Sequence, residues 1–141
     1  MKVFLDANLL FAGAYRSGSN VDLLMEVAPV WKLSLLTCAY AVGEARRNIE
    51  AKVPNRLPAL DQLLSRLDVV ETAHPQECPV SLREKDRPIL ASAVAARCQI
   101  LLTGDKRDFS PWLDQPGKTG GVRILMIAAF LTELGKMPLR R

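Results

Sequence analysis

The sequence predicts an α/β domain of three layers, with a central five-stranded parallel sheet between helices. Short apolar runs alternate with stretches of helical periodicity, the pattern of successive βαβ units. The runs Val3-Phe4-Leu5 and Ile100-Leu101-Leu102 are continuously apolar, as strands buried on both faces are. The first runs into Asp6 and the second into Thr103-Gly104-Asp105, so two strands deliver carboxylates where they leave the sheet.

In chain order, Met1–Leu5 reads as a strand, then Asp6-Ala7-Asn8 and an apolar segment, Leu9–Tyr15. Arg16–Asn20 is a loop, and Ser19 or Asn20 caps a helix over Val21–Val27 that Pro29 ends. Trp31–Thr37 is the second strand. A helix over Ala39–Lys52 follows, with Ala41, Val42, Ala45 and Ile49 as its apolar stripe. Asn55–Arg66 is another helix and Leu67–Glu71 the third strand. Thr72–Ser81 has two prolines and no periodicity, so it is a loop. Arg87–Arg97 is a helix feeding the strand that begins at Gln99. Ser110–Gly121 is a loop, Val122–Met126 the fifth strand, and Ile127–Leu134 a last helix stopped by Gly135 and Pro138. Residues 1–136 make one domain, and 137–141 form a short basic tail that frays at its end.

At 141 residues and 49% hydrophobic content the chain can bury a core, which excludes wholesale disorder. No apolar stretch approaches the roughly 20 residues that span a bilayer, and Asp6 interrupts the N-terminal run against a signal peptide. Cys38, Cys78 and Cys98 are widely spaced, and their odd number fits reduced thiols in a cytoplasm. If five of the 15 acidic side chains share one pocket, the remaining surface sets 19 basic groups against ten acidic ones. Such a surface attracts polyanions, nucleic acid first.

Asp6, Glu44, Asp86, Asp105 and Asp108 are the candidates for that pocket. Each also has an ordinary role. Asp6 suits a turn, Glu44 a solvated helix face, and Asp86 the N-cap before Arg87-Pro88. Asp105 suits a β-turn and Asp108 a helix cap, while Glu84 competes with Asp86. Gly104 is expected to let the backbone turn tightly between strand and acids. The helix after Asp86 is expected to begin at the sheet edge opposite Asp6, so the long Thr72–Lys85 loop must bring Asp86 back over the pocket. Gathered carboxylates repel by very roughly 1–4 kcal/mol per pair, and they stay ionised together only around a positive charge. Oxygen ligands suit Mg²⁺ or Mn²⁺, one or two ions, which activate a water and stabilise an oxyanion: phosphodiester hydrolysis.

Other chemistries lack their residues. His74 is a single histidine in a His-Pro loop, expected at the surface, and no P-loop, G-x-G-x-x-G or zinc spacing occurs. An aspartyl-phosphate phosphatase wants Asp-x-Asp where this chain has Asp6-Ala7-Asn8. A phospho-receiver wants a lysine after the last strand, where Ile127 stands.

LDANLL at Leu5–Leu10, Glu44 in YAVGEARR, KDRPILASAVAARCQILLTGDKRDF at Lys85–Phe109 and GVRILMIAAFL at Gly121–Leu131 together resemble the PIN-domain nucleases. The Thr103-Gly104-Asp105-x-x-Asp108 version is similar to the VapC-type, toxin-component branch. The resemblance implies acidic metal ligands at one sheet edge: Asp6, Glu44, Asp86 and Asp105, with Asp108 as a fifth. It also implies an endoribonuclease neutralised by a small antitoxin, with RNA as substrate, and leaves room for a homodimer. The alternative within the family is an RNA-binding or assembly protein with weak or no catalysis. Arg16, Arg46, Arg47, Arg87, Lys106 and Arg107 neighbour the proposed ligands and are the candidate phosphate contacts. Ala7 stands where the family has threonine, which loses a supporting hydroxyl and leaves Asn8 and Thr103 to hold the geometry.

Overall fold

Residues 1–137 are described by a computed structural model; Pro138 and the end of the basic tail lie outside the described residues. The strands are β1 (Lys2–Leu5), β2 (Ser34–Cys38), β3 (Asp68–Val70), β4 (Ile100–Thr103) and β5 (Arg123–Met126). The helices among the described residues are α1 (Ala7–Tyr15), α2 (Asn20–Trp31), α3 (Ala39–Lys52), α4 (Leu57–Leu64), α5 (Arg87–Ala95), α6 (Lys106–Phe109) and α7 (Ile127–Gly135). The strands form one sheet in the order β3-β2-β1-β4-β5, every neighbouring pair parallel.

The chain steps outward from β1 to β2 and β3, then returns past β1 to lay down β4 and β5. Right-handed crossovers therefore put α1–α4 on one face of the sheet and α5 on the other, the expected three layers. Val3, Phe4, Leu5, Leu101 and Leu102 are wholly buried in the two central strands, which explains their unbroken apolar runs. α1 packs on α3, and Leu10 and Ala14 of α1 and Ala41, Ala45 and Ile49 of α3 are all fully buried. Small residues there let the two helices approach closely, which fixes the line of α3 relative to the end of β1. No helix among the described residues is long and apolar enough to cross a membrane.

Several elements depart from the sequence expectation. Leu9–Tyr15 is helical, and α1 starts one residue after Asp6. Pro29 lies inside α2, which runs on to Trp31 and ends where Lys32 takes a left-handed conformation. A proline leaves the carbonyl four residues earlier without its helical donor; Arg66 takes over, donating to Met25 O at 3.0 Å. β2 consequently starts at Ser34 rather than Trp31. The start of the Asn55–Arg66 segment is a 3₁₀ turn, Pro54–Arg56, ahead of α4. Lys106–Phe109 forms the short helix α6, too short to show a hydrophobic period in sequence.

The expected placement of Asp86 also needs correcting. In a βαβ unit the helix runs back along the sheet, so it begins at the strands' C-terminal edge. α5 ends near Cys98 and Gln99, and Gln99 N–H donates to Lys2 O at the N-terminal edge. Asp86, at the other end of α5, stands on the same side as Asp6 without any detour of the preceding loop.

Candidate active site

The order of the strands reverses between β1 and β4, and open α/β sheets bind ligands in the crevice outside such a point. Asp6 sits in that crevice as the N-cap of α1, 3% exposed. Its backbone N–H donates to Leu102 O at 3.0 Å, stitching the ends of β1 and β4. Its carboxylate accepts from Ala7 N–H at 2.7 Å and from the Thr103 hydroxyl at 3.0 Å. Asn8 extends the chain: Nδ2 donates to Thr103 Oγ1 at 3.2 Å, and Oδ1 accepts from Gly104 N–H at 2.9 Å. A side chain at Gly104 would press on Leu9 at 3.1 Å and Asn8 Oδ1 at 3.4 Å. Glycine is needed there for close approach rather than for an unusual φ.

Asp6, Glu44, Asp86 and Asp108 converge on one small cleft of about 80 Å³, completed by Asn8, Asn48 and Lys85. α3 supplies Glu44 and Asn48 one turn apart, the cap of α5 supplies Asp86, and α6 supplies Asp108. The volume admits an ion with a water or two but not a nucleotide. A polymeric substrate would therefore lie across the mouth.

Burial pushes the Asp6 carboxyl up to about 7; the bonds from Thr103 and Ala7 oppose this, and Asp86 and Glu44 add to it. Asp86 is also raised by burial, against the pull of Lys85 and Arg83. Tyr40, one turn ahead of Glu44, is raised by burial and then by Glu44 and Asp86, so its phenol keeps its proton.

Arg83 and Lys85 were missed from the sequence. Arg83 Nε donates to Asp86 Oδ2 at 3.4 Å, and its Nη2 pairs with Asp108 Oδ1. Lys85 Nζ lies 4.0 Å from Asp108 Oδ2. The available signal was the charged string Arg83-Glu84-Lys85-Asp86 closing an otherwise proline-rich loop.

Asp105 is placed differently from the other four. It caps α6, accepting from Arg107 N–H at 2.9 Å and meeting the Arg107 guanidinium at 3.3 Å, which holds its carboxyl below the usual range. It does not line the cleft, whereas Asp108 does. Of the candidate phosphate contacts, Lys106 and Arg107 are exposed beside Asp105, and Arg16 borders a neighbouring hollow with Leu9 and Gly104. Arg47 is exposed on α3. Arg46 instead pairs with Asp61 at 2.9 Å, and Arg87 Nε donates to Leu82 O at 2.9 Å. His74 is exposed and its Nδ1 accepts from Gln76 N–H, as expected of a surface residue. Cys38, Cys78 and Cys98 are free thiols.

Among the described residues, no three His, Cys, Asp or Glu side chains are drawn close enough to hold a metal ion as they stand. The donor set still fits a hard divalent cation in kind, being carboxylate and amide oxygen throughout. Asp6 gives the sharper indication: it is buried with acidic neighbours, and a bound cation would remove the penalty that raises it.

A family model for the PIN domain matches residues 2–107. No curated protein sequence matches the chain. Among solved structures, VapBC2 from Rickettsia felis, bound to a promoter DNA fragment, superposes with a TM-score of 0.66 at 14% identity, covering 89% of this chain and 98% of that one. VapBC-1 from nontypeable Haemophilus influenzae gives 0.60 at 13%, covering 91% and 99%. Mycobacterium tuberculosis VapC20, described as a sarcin–ricin loop cleaving toxin, gives 0.52 at 13%, covering 70% and 86%. At these identities the structures speak for the fold, and the sequence match over three-quarters of the chain speaks for the family. The chain belongs to the PIN domain family.

Proposed function

We propose that this PIN domain is a Mg²⁺- or Mn²⁺-dependent endoribonuclease that hydrolyses RNA phosphodiester bonds as the toxin of a toxin–antitoxin pair. One observation carries the reading. Asp6, Glu44, Asp86 and Asp108 face one cleft at the sheet's reversal point, and Asp6 is buried there without a basic side chain paired to it among the described residues. Family membership supports action on nucleic acid. VapC20, a fold neighbour, is described as a cleaving toxin, which supports RNA as substrate. The VapBC neighbours support a small antitoxin as partner.

Asp6, Glu44 and Asp86 would hold the cation, with Asp108 and Asp105 as flanking acids. A hard divalent ion, when bound, supplies a water of lowered pKa and charge for the leaving oxygen. Thr103 and Asn8 fix the Asp6 carboxylate in one orientation. Lys106 and Arg107, on the exposed rim, would meet phosphates on either side of the scissile bond.

A second reading, a PIN-type RNA-binding or assembly protein with weak or no catalysis, is favoured by one feature: Arg83 and Lys85 already neutralise Asp108. Incubation with a broad RNA pool separates the two. The nuclease cuts with Mg²⁺ or Mn²⁺ and stops in excess chelator. Binding that ignores chelation, with no cleavage, supports the second.

A further inference from the structure

The cleft does not end at its acids. α1 and α3 both start at the same sheet edge and run away from it side by side, α1 lining the cleft with its first turn and α3 with its middle turns. Asn8, Phe11 and Tyr15 recur at helical spacing on α1, and Glu44, Asn48 and Lys52 do so on α3. The two rows meet beyond the cleft: Lys52 Nζ stands 5.2 Å from the Phe11 ring centre. Phe11 stacks on Tyr15 with centroids 5.4 Å apart and planes 28° from parallel. Phe11 is partly buried against the core, whereas Tyr15 is 48% exposed, one of few large apolar side chains so exposed. Two arginines lie at the same end of α1. Arg16 follows in sequence, and Arg56 Nε donates to Ala14 O at 2.8 Å, beside Tyr15 at the end of α1.

An exposed ring stacked on a second aromatic, with Lys52 over that second ring and in line with a candidate cleavage cleft, has the composition of a single-strand platform. Bases stack on the aromatic face regardless of sequence, and the cations follow the backbone. Asn8 to Tyr15 spans about 10 Å along α1, a distance that a single strand crosses in a few nucleotides. We propose that Tyr15, braced by Phe11 and flanked by Lys52, stacks a base of single-stranded RNA whose scissile phosphate lies over the acidic cleft. This rests on the ribonuclease reading above and adds the residue that positions the strand beside the cut.

Fluorescence anisotropy in chelator, with a labelled unstructured RNA oligonucleotide and its duplex, tests the proposal on the full chain. Tyr15→Ala is expected to weaken single-strand binding by about 5- to 100-fold, the range of one base–aromatic stack, and to leave duplex binding unchanged. Tyr15→Phe keeps the ring and stays within about twofold of wild type, which excludes a hydroxyl contact. Lys52→Gln lowers the slope of log affinity against log salt by about one. Thermal unfolding of each variant near that of wild type shows that the fold is intact. Equal losses on single strand and duplex, or none on either, overturn the platform while leaving the nuclease reading in place. Loss of affinity for a protein partner but not for RNA also overturns it and gives the surface to that partner. A wild-type chain that binds no RNA overturns both.

Discussion

Thr103 donates its hydroxyl to the Asp6 carboxylate at 3.0 Å, across 97 residues of chain and the seam between β1 and β4. Both side chains are buried, and Thr103 accepts in turn from Asn8. This contact orients the acid that the cleft depends on, and it provides a hydroxyl where Ala7 has none. Thr103→Val should therefore lower Mn²⁺ affinity by about 10- to 100-fold, the usual effect of losing an outer partner of a ligand. Thr103→Ser should recover most of it. Isothermal titration of the metal reads both, and unchanged affinity in Thr103→Val would show that Asp6 is held by other means.

The raised Asp6 makes a prediction about pH. In the folded, metal-free chain Asp6 keeps its proton up to about pH 7, whereas the unfolded chain releases it near 3.8. Between those values the folded state binds more protons, so stability falls as pH rises. Asp86 is shifted in the same direction. Asp105 is shifted oppositely, but it is partly solvated and its effect is screened. Urea unfolding in chelator should show lower stability at pH 8 than at pH 5, by an order of 1–4 kcal/mol. Asp6→Asn should flatten the difference, and saturating Mn²⁺ should restore stability at pH 8. A stability that climbed over this interval would contradict the assignment.

Arg83 ties Asp86 to Asp108 and sets a positive charge against the cleft. Arg83→Gln should strengthen Mn²⁺ binding by about tenfold, the effect of removing one nearby like charge at surface-type dielectric. Arg87→Gln removes an equal charge from a side chain bonded to Leu82 O and should change affinity less. Equal effects would reduce Arg83 to a general charge.

Away from the cleft, Arg123 pairs with Asp114 at 2.7 Å and Glu133 at 2.9 Å, joining the loop before β5 to α7. All three side chains are partly solvated, so Arg123→Ala should cost only about 1 kcal/mol in urea unfolding. Metal affinity should not move. A loss of metal binding would mean that the loop shapes the cleft.

Much of this was legible in the sequence, for physical reasons that differ by residue. Central strands must be apolar on both faces, so Val3–Leu5 and Ile100–Leu102 announced themselves, and the acids after them followed. The Ala41, Ala45, Ile49 stripe placed α3 and with it Glu44. Leu9–Tyr15 was apolar throughout and so carried no helical period to read. Pro29 looked like a stop because sequence shows the missing N–H but not Arg66, 41 residues away, filling the gap at Met25 O. Arg83 and Lys85 showed only as part of a charged string, because the partner that draws them to the cleft, Asp108, lies over 20 residues along the chain. The family resemblance puts Asp105 ahead of Asp108, whereas in the fold Asp105 caps α6 under Arg107 and Asp108 lines the cleft.

The proposed metal site depends most on Asp6. The direct measurement is Mn²⁺ binding by calorimetry together with RNA cleavage, in wild type and Asp6→Asn at pH 8. Asn keeps the shape and one accepting oxygen for Ala7 N–H or Thr103 while removing the charge. Wild type should bind Mn²⁺ and cut RNA; the folded variant should lose cleavage and at least tenfold in affinity. A folded Asp6→Asn chain that binds Mn²⁺ and cuts RNA as wild type does would contradict the central claim.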